Sequence, residues 1–117
     1  MFRLETIDDL GRTLSFPLNK RGIVTVGRKG DNDIKLSDKS VSRNHCLLYV
    51  SSNGIEIEDL QSANGVLVAG QRIEGRTKIQ PNDELIIGEN RFFLRWSPVG
   101  KETQRTLSGT LSDIKKK

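Results

Sequence analysis

Hydrophobic and polar residues alternate at every second position through most of the first hundred residues. In the opening segment, Phe2 and Leu4 lie on one side of an extended chain, and Arg3 and Glu5 lie on the other. Similar short runs occur at residues 13–16, 23–26, 33–36, 46–50, 55–57, 65–68, 78–79, 85–87 and 91–96. No window has the several turns of 3.6-residue periodicity that a helix needs, so the pattern predicts about ten or eleven short β-strands.

Residues that favour tight turns separate these runs. Gly, Asn, Asp, Ser and Pro dominate the connections, and Asn53-Gly54 gives the strongest hairpin signal because hydrophobic runs flank it on both sides. The pattern therefore predicts an all-β fold. A closed barrel and a two-sheet sandwich both fit the number of strands.

Two segments depart from the alternation. Residues 28–43 are polar, with five basic residues and three Asp, and we interpret them as loops around one short strand. Long polar loops on a β-scaffold often carry function. Residues 101–117 contain only three apolar side chains, which predicts a flexible Thr/Ser/Lys-rich tail or linker over 99–117 after a domain at 1–98.

The formal net charge of +4 first favours a nucleic-acid ligand. However, residues 1–100 contain 14 basic and 13 acidic side chains, and the remaining charge of +3 lies in the tail. No apolar run is long enough to span a membrane, no signal peptide is recognisable, and Cys46 has no partner for an internal disulfide. We therefore expect a cytoplasmic protein that binds neither membranes nor nucleic acid.

Three short motifs follow one another across the loops: Gly27-Arg28, then Ser42-Arg43-Asn44-His45, then Asn64-Gly65. In this order and at this spacing they resemble the motif of the forkhead-associated (FHA) domain. The resemblance extends over about residues 2–96. It implies a β-sandwich of about eleven strands in two twisted sheets, with the ligand loops at one end, and it implies recognition of phosphothreonine peptides.

The resemblance assigns the phosphate contacts to Arg28 and Ser42, and we expect Arg43 to reach the phosphate as well. These residue types suit the task physically. A phosphate at neutral pH carries a charge of about −1.5 to −2 and three acceptor oxygens, so its receptor needs a guanidinium together with hydroxyl or amide donors.

Other loop residues are expected to bind the peptide around the phosphothreonine. Asn64 resembles the residue that binds the peptide main chain, since its amide can both donate and accept a hydrogen bond. Ala63 occupies a position where many family members have Thr or Ser, so affinity or the preference for Thr over Ser can differ here. We expect Lys29, Lys39 and Ser40 to set the preference for the residue three positions after the phosphothreonine, and the two lysines to favour an acidic residue there.

Three motif residues are expected to support the loops rather than touch the ligand. Gly27 lets the chain turn as its strand ends, Gly65 allows a backbone conformation that side chains forbid, and His45 holds the loops through its ring nitrogens. Cys46 is expected in the core because adjacent strand residues point to opposite faces, which separates it from His45.

The leading hypothesis is a non-enzymatic phosphothreonine-binding module in Ser/Thr kinase signalling. Two alternatives remain open at this point: an interaction module whose phosphate site has lapsed, as Ala63 permits, and a small β-barrel that binds single-stranded nucleic acid. One His, one Cys and scattered carboxylates do not form a catalytic or metal-binding pattern, so we expect no enzyme activity, metal or cofactor.

The tail carries three candidate phosphorylation sites, Thr103, Thr106 and Thr110. Thr110 has Asp113 three positions later, which is the acidic spacing expected of a ligand. A phosphorylated tail could bind the site of its own chain or of a second copy. The alternative is a plain linker to a further domain.

Overall fold

The computed structural model describes residues 1–98, which form eleven β-strands and no helix. The strands are β1 (Phe2–Ile7), β2 (Thr13–Leu18), β3 (Gly22–Gly27), β4 (Ile34–Lys35), β5 (Cys46–Ser51), β6 (Gly54–Asp59), β7 (Val66–Val68), β8 (Gln71–Arg72), β9 (Arg76–Ile79), β10 (Glu84–Ile87) and β11 (Asn90–Trp96). The predictions made for residues 99–117, including phosphorylation of Thr103, Thr106 and Thr110, lie outside the described residues.

The strands form two sheets, so the sandwich is confirmed and the closed barrel is wrong. One sheet has six strands in the order β2-β1-β11-β10-β7-β8, and the other has five in the order β4-β3-β5-β6-β9. Neighbouring strands are antiparallel except for the parallel pair β3 and β4. Within residues 1–98, no helix is long and apolar enough to cross a membrane.

The core lies between the sheets and follows the alternation of the sequence. In β5, Cys46, Leu48 and Val50 are buried while Leu47 and Tyr49 are only partly so. Both sheets contribute fully or almost fully buried side chains: Leu4, Leu85, Ile87, Phe92 and Leu94 from the larger, and Val26, Leu48, Ile55, Ile57 and Ile79 from the smaller. Because these side chains come from both sheets and pack between them, the two sheets are stabilised together.

Burial also determines the chemistry of the one cysteine. The Cys46 side chain has no exposed surface, and burial together with the nearby Asp59 carboxylate raises the pKa of its thiol to about 12. The thiol is therefore protonated and unreactive at neutral pH.

The structure differs from the predicted elements in three details. The hairpin between β5 and β6 is present, but Ser51 pairs with Gly54, so the turn residues are Ser52 and Asn53. β8 was not predicted because its two residues are polar and exposed. Trp96 was expected to pack on a strand face or in the core, yet it is 52% exposed at the end of β11.

The polar connections predicted to carry function meet at one end of the sandwich. They follow β3, β4 and β6, and the turn between β10 and β11 joins them through a hydrogen bond from the Glu89 amide to the Ser40 hydroxyl. The first and last of the described residues lie at the other end of β11, where the Met1 amino group and carbonyl both bond to Ser97. The two ends of the sandwich are therefore separated by the length of β11.

Candidate functional site

Backbone hydrogen bonds align the segment after β3 with the segment before β5. The Arg28 amide donates to the Ser42 carbonyl at 3.0 Å, and the Lys29 amide donates to the Arg43 carbonyl at 3.2 Å. The His45 amide donates to the Val26 carbonyl at 2.9 Å. These bonds place Arg28 beside Ser42, although nearly the whole of the long polar stretch separates the two residues in the sequence.

Gly27 permits this close approach. A Cβ atom at Gly27 would lie 2.2 Å from the Arg43 carbonyl oxygen and 2.8 Å from the Asn32 side-chain nitrogen. Its backbone does not need a positive φ. The need for glycine is therefore steric, whereas the sequence suggested a turn.

The Arg28 side chain is anchored at one atom. Its Nε donates to the Val41 carbonyl at 2.9 Å, which orients the guanidinium plane. Arg28 is exposed and forms no ion pair with any described residue. Its two terminal nitrogens therefore keep their donors for an external acceptor.

The Ser42 hydroxyl is oriented by the loop that follows β6. Its oxygen accepts a hydrogen bond from the Ala63 amide at 3.0 Å. A hydroxyl has one donor hydrogen and two acceptor positions, so this bond leaves its hydrogen free to donate. Ser42 is partly exposed, and its hydroxyl can reach a ligand from the same end of the sandwich as Arg28.

His45 connects the loop before β5 to the loop before β7. Its Nδ1 accepts a hydrogen bond from the Ser42 amide at 3.0 Å, and its Nε2 lies 2.8 Å from the Gly65 carbonyl. The carbonyl can only accept, so Nε2 carries the proton and the ring is in the neutral Nε2–H tautomer. The ring is fully buried and has no atom available to a ligand.

Asn64 also joins two loops. Its Nδ2 donates to the Ser40 carbonyl at 2.7 Å, which assigns the orientation of the amide. Its Oδ1 and its second amide hydrogen have no partner among the described residues. Since the side chain is exposed, these groups can pair with the main chain of an extended peptide.

Ser62 and Ala63 have different roles in the loop before β7. The Ser62 hydroxyl donates to the Asp59 carboxylate at 2.6 Å and accepts from the Gly65 amide at 2.9 Å. Ser62 is buried and its hydroxyl is fully used, so it cannot replace the hydroxyl that is missing at Ala63. Ala63 offers its amide to Ser42 and a methyl group to a ligand.

A carboxylate braces the loop between β4 and β5. One oxygen of Asp38 accepts from the Ser40 amide and hydroxyl, both at 2.7 Å, and the other accepts from the Asn90 side chain at 2.8 Å. The Ser40 hydroxyl bond, the Ser40 amide bond and the Asn90 bond, in that order of importance, lower the pKa of Asp38 below its usual 3.8. The Ser40 hydroxyl, proposed as a peptide contact, is therefore already used within the loop.

The remaining cations near these loops are exposed. Lys29 lies 3.7 Å from the Asp31 carboxylate, which partly compensates its charge. Lys39 and Arg43 form no ion pair with a described residue. Arg43 is thus available to a phosphate held by its neighbour Ser42.

Four residues of this region were not singled out from the sequence. Asn32 donates to the Lys29 and Arg43 carbonyls, and Asp38 and Asn90 brace the next loop. The guanidinium of Arg72 lies against Gly65. Only Asp38 carried a signal in the sequence, because an Asp two residues before a Ser is typical of a side-chain-capped turn.

The free donors at this end of the sandwich suit the binding of an anion and of a peptide main chain. Among residues 1–98 no group of three or more His, Cys, Asp and Glu side chains could hold a metal ion. A surface groove lined by residues such as Glu5, Asp9 and Arg91 lies apart from these loops. Binding of a small anion by projecting loops does not require a deep pocket, so the candidate site rests on the hydrogen-bond geometry of the loops.

Comparisons with known proteins agree on one family. The family model of the FHA domain matches residues 24–88, more than half of the chain. The FHA domain of the CT664 protein from Chlamydia trachomatis is 32% identical, with a TM-score of 0.78, over 83% of this chain and 98% of that domain. An FHA domain solved in a study of phosphothreonine-dependent interactions is 26% identical, with a TM-score of 0.72, over 84% of this chain and 98% of that one.

The transcriptional regulatory protein EmbR of Mycobacterium tuberculosis is 31% identical over 91 residues. That match covers 78% of this chain but only 23% of EmbR, so the chain spans about a quarter of this relative. The structure of EmbR with a low-affinity phosphopeptide is 29% identical, with a TM-score of 0.66, over 80% of this chain and 24% of that one.

Proposed function

This chain belongs to the FHA domain family, and we propose that it is a phosphothreonine-peptide recognition module that mediates phosphorylation-dependent protein interactions. The EmbR structure contains a phosphopeptide, and a second related domain takes part in phosphothreonine-dependent interactions. The coarser statement, a phospho-dependent interaction module, follows from the family itself.

The observation that carries the proposal is the pair of free donors at Arg28 and Ser42. Nε of Arg28 donates to a backbone carbonyl, so the two terminal nitrogens remain free to donate to a ligand. The Ser42 hydroxyl oxygen accepts from a backbone amide, so the hydroxyl hydrogen remains free to donate. Both groups are held before a ligand arrives, so binding costs little side-chain entropy. A preorganised guanidinium and hydroxyl form a receptor for a phosphate dianion.

The expected affinity is modest. Each charge-assisted hydrogen bond contributes roughly 1.5–3 kcal/mol, and Arg28, Ser42 and Arg43 together supply a few of them. Asn64 adds contacts to the peptide main chain, which determine the register without reading side chains. Such a site suits reversible binding of a short peptide.

Ala63 affects the choice between phosphothreonine and phosphoserine. Its methyl group replaces the hydroxyl that many family members place there, and Ser62 cannot compensate because its hydroxyl is used inside the loop. The extra methyl of threonine contributes only about 0.8 kcal/mol when buried. We therefore propose a weak preference for phosphothreonine over phosphoserine, about fourfold or less.

Fluorescence polarisation with matched peptides tests the proposal. A phosphothreonine peptide library should contain members that bind at least tenfold more tightly than their unphosphorylated twins. Arg28→Ala and Ser42→Ala should each remove most of this difference. Arg21→Ala is the matched control, since Arg21 is also exposed and without an ion pair but lies between β2 and β3.

Two results would contradict the proposal and favour the alternatives. Binding of a protein partner that survives both phosphatase and Arg28→Ala would indicate a lapsed phosphate site. Oligonucleotide binding that persists at physiological salt would indicate a nucleic-acid module, whereas binding that disappears steeply with salt reflects only general attraction to positive charge.

The proposal also covers where the interaction takes place and which enzyme creates its ligand. We place the interaction in the cytoplasm and in a Ser/Thr kinase pathway, where a kinase creates the ligand.

Phosphorylated Thr103, Thr106 or Thr110 of the tail is one candidate ligand. β11 starts beside the loops at Asn90 and ends at Trp96, about 20 Å away at 3.4 Å per residue.

The length of β11 determines how easily each candidate tail site can reach the phosphate site of its own chain. Thr103 is five residues after Pro98 and reaches at most about 18 Å, so it approaches the site of its own chain only when fully extended, whereas Thr110 is twelve residues away and reaches about 43 Å. We therefore propose that phosphorylated Thr103 favours the site of a second copy. Light scattering of the phosphorylated chain detects this as a doubling of mass, and an unchanged mass would exclude it.

A further inference from the structure

Arg72 lies at the edge of the proposed peptide site, against the backbone of Gly65. The position that a Cβ of Gly65 would occupy is 2.8 Å from the Cζ and Nε atoms of Arg72 and 2.9 Å from one terminal nitrogen. The guanidinium therefore covers the face of Gly65 that a side chain would otherwise fill. Gly65 also has a φ of +75°, a backbone conformation that favours glycine. Both the contact with Arg72 and the backbone conformation therefore require glycine at this position.

The sheet puts Arg72 there. β7 and β8 pair so that Leu67 faces Arg72. Gly65 directly precedes β7, two positions before Leu67 and nearer to the ligand loops. The Arg72 side chain is long enough to extend from β8 to Gly65.

Arg72 has no ionic partner in the described part of the chain. Of the nine arginines in residues 1–98, five pair with a carboxylate, namely Arg3, Arg12, Arg76, Arg91 and Arg95. The four without an ion pair are Arg21, Arg28, Arg43 and Arg72. Three of these four lie at the ligand loops, which leaves an excess of uncompensated positive charge at this end of the sandwich.

Ser42 contacts one end of the segment 63–65 and Arg72 contacts the other end, and both side chains carry hydrogen-bond donors. Ser42 contacts the Ala63 amide at 3.0 Å, and the Arg72 guanidinium contacts Gly65. Two Cα steps of about 3.8 Å separate Ala63 from Gly65, so the guanidinium lies roughly 16 Å or less from the Ser42 hydroxyl. An extended peptide advances about 3.3 Å per residue, so this upper limit corresponds to at most about five residues.

We propose that Arg72 binds an acidic side chain of the ligand, about two to four residues from the phosphothreonine and beyond the main-chain contact made by Asn64. This inference rests on the proposed function and adds a specificity determinant to it. The segment 63–65 then lies between two anion contacts, the phosphate at Arg28 and Ser42 and a carboxylate at Arg72. Of the two lysines expected from the sequence to select an acidic residue, Lys29 is the weaker candidate because Asp31 partly compensates its charge. Lys39 has no such partner among the described residues and is the competing candidate.

A charge scan of the peptide tests the proposal on the full chain. The probe is a phosphothreonine peptide with neutral flanks, and single Asp residues are placed two, three and four positions before or after the phosphothreonine, each with an Asn twin. At one position, the unchanged chain should bind the Asp peptide about three- to tenfold more tightly than the Asn peptide. Arg72→Ala should reduce that ratio to about one.

Three variants act as controls. Arg72→Lys keeps the charge without the planar fork and should retain part of the ratio. Arg21→Ala removes a cation away from the ligand loops and should leave the ratio unchanged. Lys39→Ala tests the competing assignment of the acidic contact to this lysine, and the ratio should persist in it. Arg72→Ala, Arg72→Lys and Arg21→Ala should each bind the neutral-flank peptide within about twofold of the unchanged chain, which reports that the phosphate site is intact.

The proposal is overturned if no position prefers Asp, if Arg72→Ala leaves the preference intact, or if Lys39→Ala abolishes it instead. Failure of the proposed function is recognised separately, because the neutral-flank phosphopeptide would then bind no better than its unphosphorylated twin. A preference that weakens in high salt and disappears in Arg72→Ala supports a direct ionic contact.

Discussion

At the scale of single residues, the site depends on which atom of each side chain is already bonded. Ser42 uses a lone pair and keeps its hydrogen, Arg28 uses Nε and keeps its terminal nitrogens, and Asn64 uses one amide hydrogen. His45 uses both ring nitrogens and keeps nothing. The same loop thus contains groups that bind ligand and groups that only hold the others in place.

Gly27→Ala should destabilise the fold and weaken phosphopeptide binding. The added Cβ would lie 2.2 Å from the Arg43 carbonyl, so the loops before and after it would have to separate. We expect the free energy of unfolding to fall by about 2–3 kcal/mol, as for other overpacked sites, in a urea titration. Gly30→Ala is the control, since nothing lies within 4 Å of its added Cβ, and a similar loss in both variants would contradict the steric explanation.

At the scale of elements, the loops are held by side chains rather than by regular pairing. The loop between β4 and β5 is fastened by Asp38 to its own Ser40 and to Asn90 at the start of β11. β4 belongs to the smaller sheet and β11 to the larger one. One carboxylate therefore links the two sheets at the ligand end and connects the loops to the core of the sandwich.

Asp38→Asn should lower the stability of the protein in a manner that depends on pH. The folded state holds the pKa of Asp38 below 3.8, so its contribution is fully present above that value and is lost as the pH falls through the lowered pKa. At neutral pH we expect a loss of about 1 kcal/mol, from the hydrogen bonds that an amide cannot accept. In urea titrations, the difference between the two proteins should shrink as the pH falls below 3.8 and disappear below the lowered pKa.

Asp9→Asn is the matched control, because Asp9 is exposed in the turn between β1 and β2 and has no resolved bond to a described residue. It should change stability by less than about 0.5 kcal/mol at every pH. A constant difference between Asp38→Asn and the unchanged protein down to pH 2 would show that the carboxylate charge is not involved.

At the scale of the whole molecule, the uncompensated positive charge and the ends of the described chain lie in two different regions. Residues 1–98 carry 14 basic and 13 acidic side chains, so their net charge is only +1. The uncompensated arginines lie mainly at the ligand end, while the described chain ends beside Met1 at the opposite end. A local positive site on a nearly neutral domain suits one phosphate group better than a polyanion.

A chain that ends at Pro98 should fold as stably as the full chain. All eleven strands and the whole described core lie before this point. We expect the melting temperature, measured by circular dichroism, to change by less than about 2 °C, and phosphopeptide affinity to stay within about twofold. A chain that ends at Phe93 loses the fully buried Leu94 and should not fold. A large drop for the Pro98 chain would contradict the proposed domain boundary.

Much of the fold was predictable because strand burial has a period of two. The alternation identified ten of the eleven strands, and the turn residues predicted the hairpin between β5 and β6. β8 has only two exposed polar residues and exists through its pairing with β7, so no local pattern marks it. The choice between barrel and sandwich depends on which strands pair, and alternation does not contain that information.

By itself, the amino-acid sequence determined the strand pattern, the polar loops and the order of motif residues, because these depend on residue type and local spacing. Only the tertiary structure decided which of their atoms are free. Ser42 is oriented by an amide 21 positions away, and Arg72 meets Gly65 only through the pairing of two strands. Hydrogen bonds and close contacts between distant segments depend on where the chain folds back, so they arise with the fold.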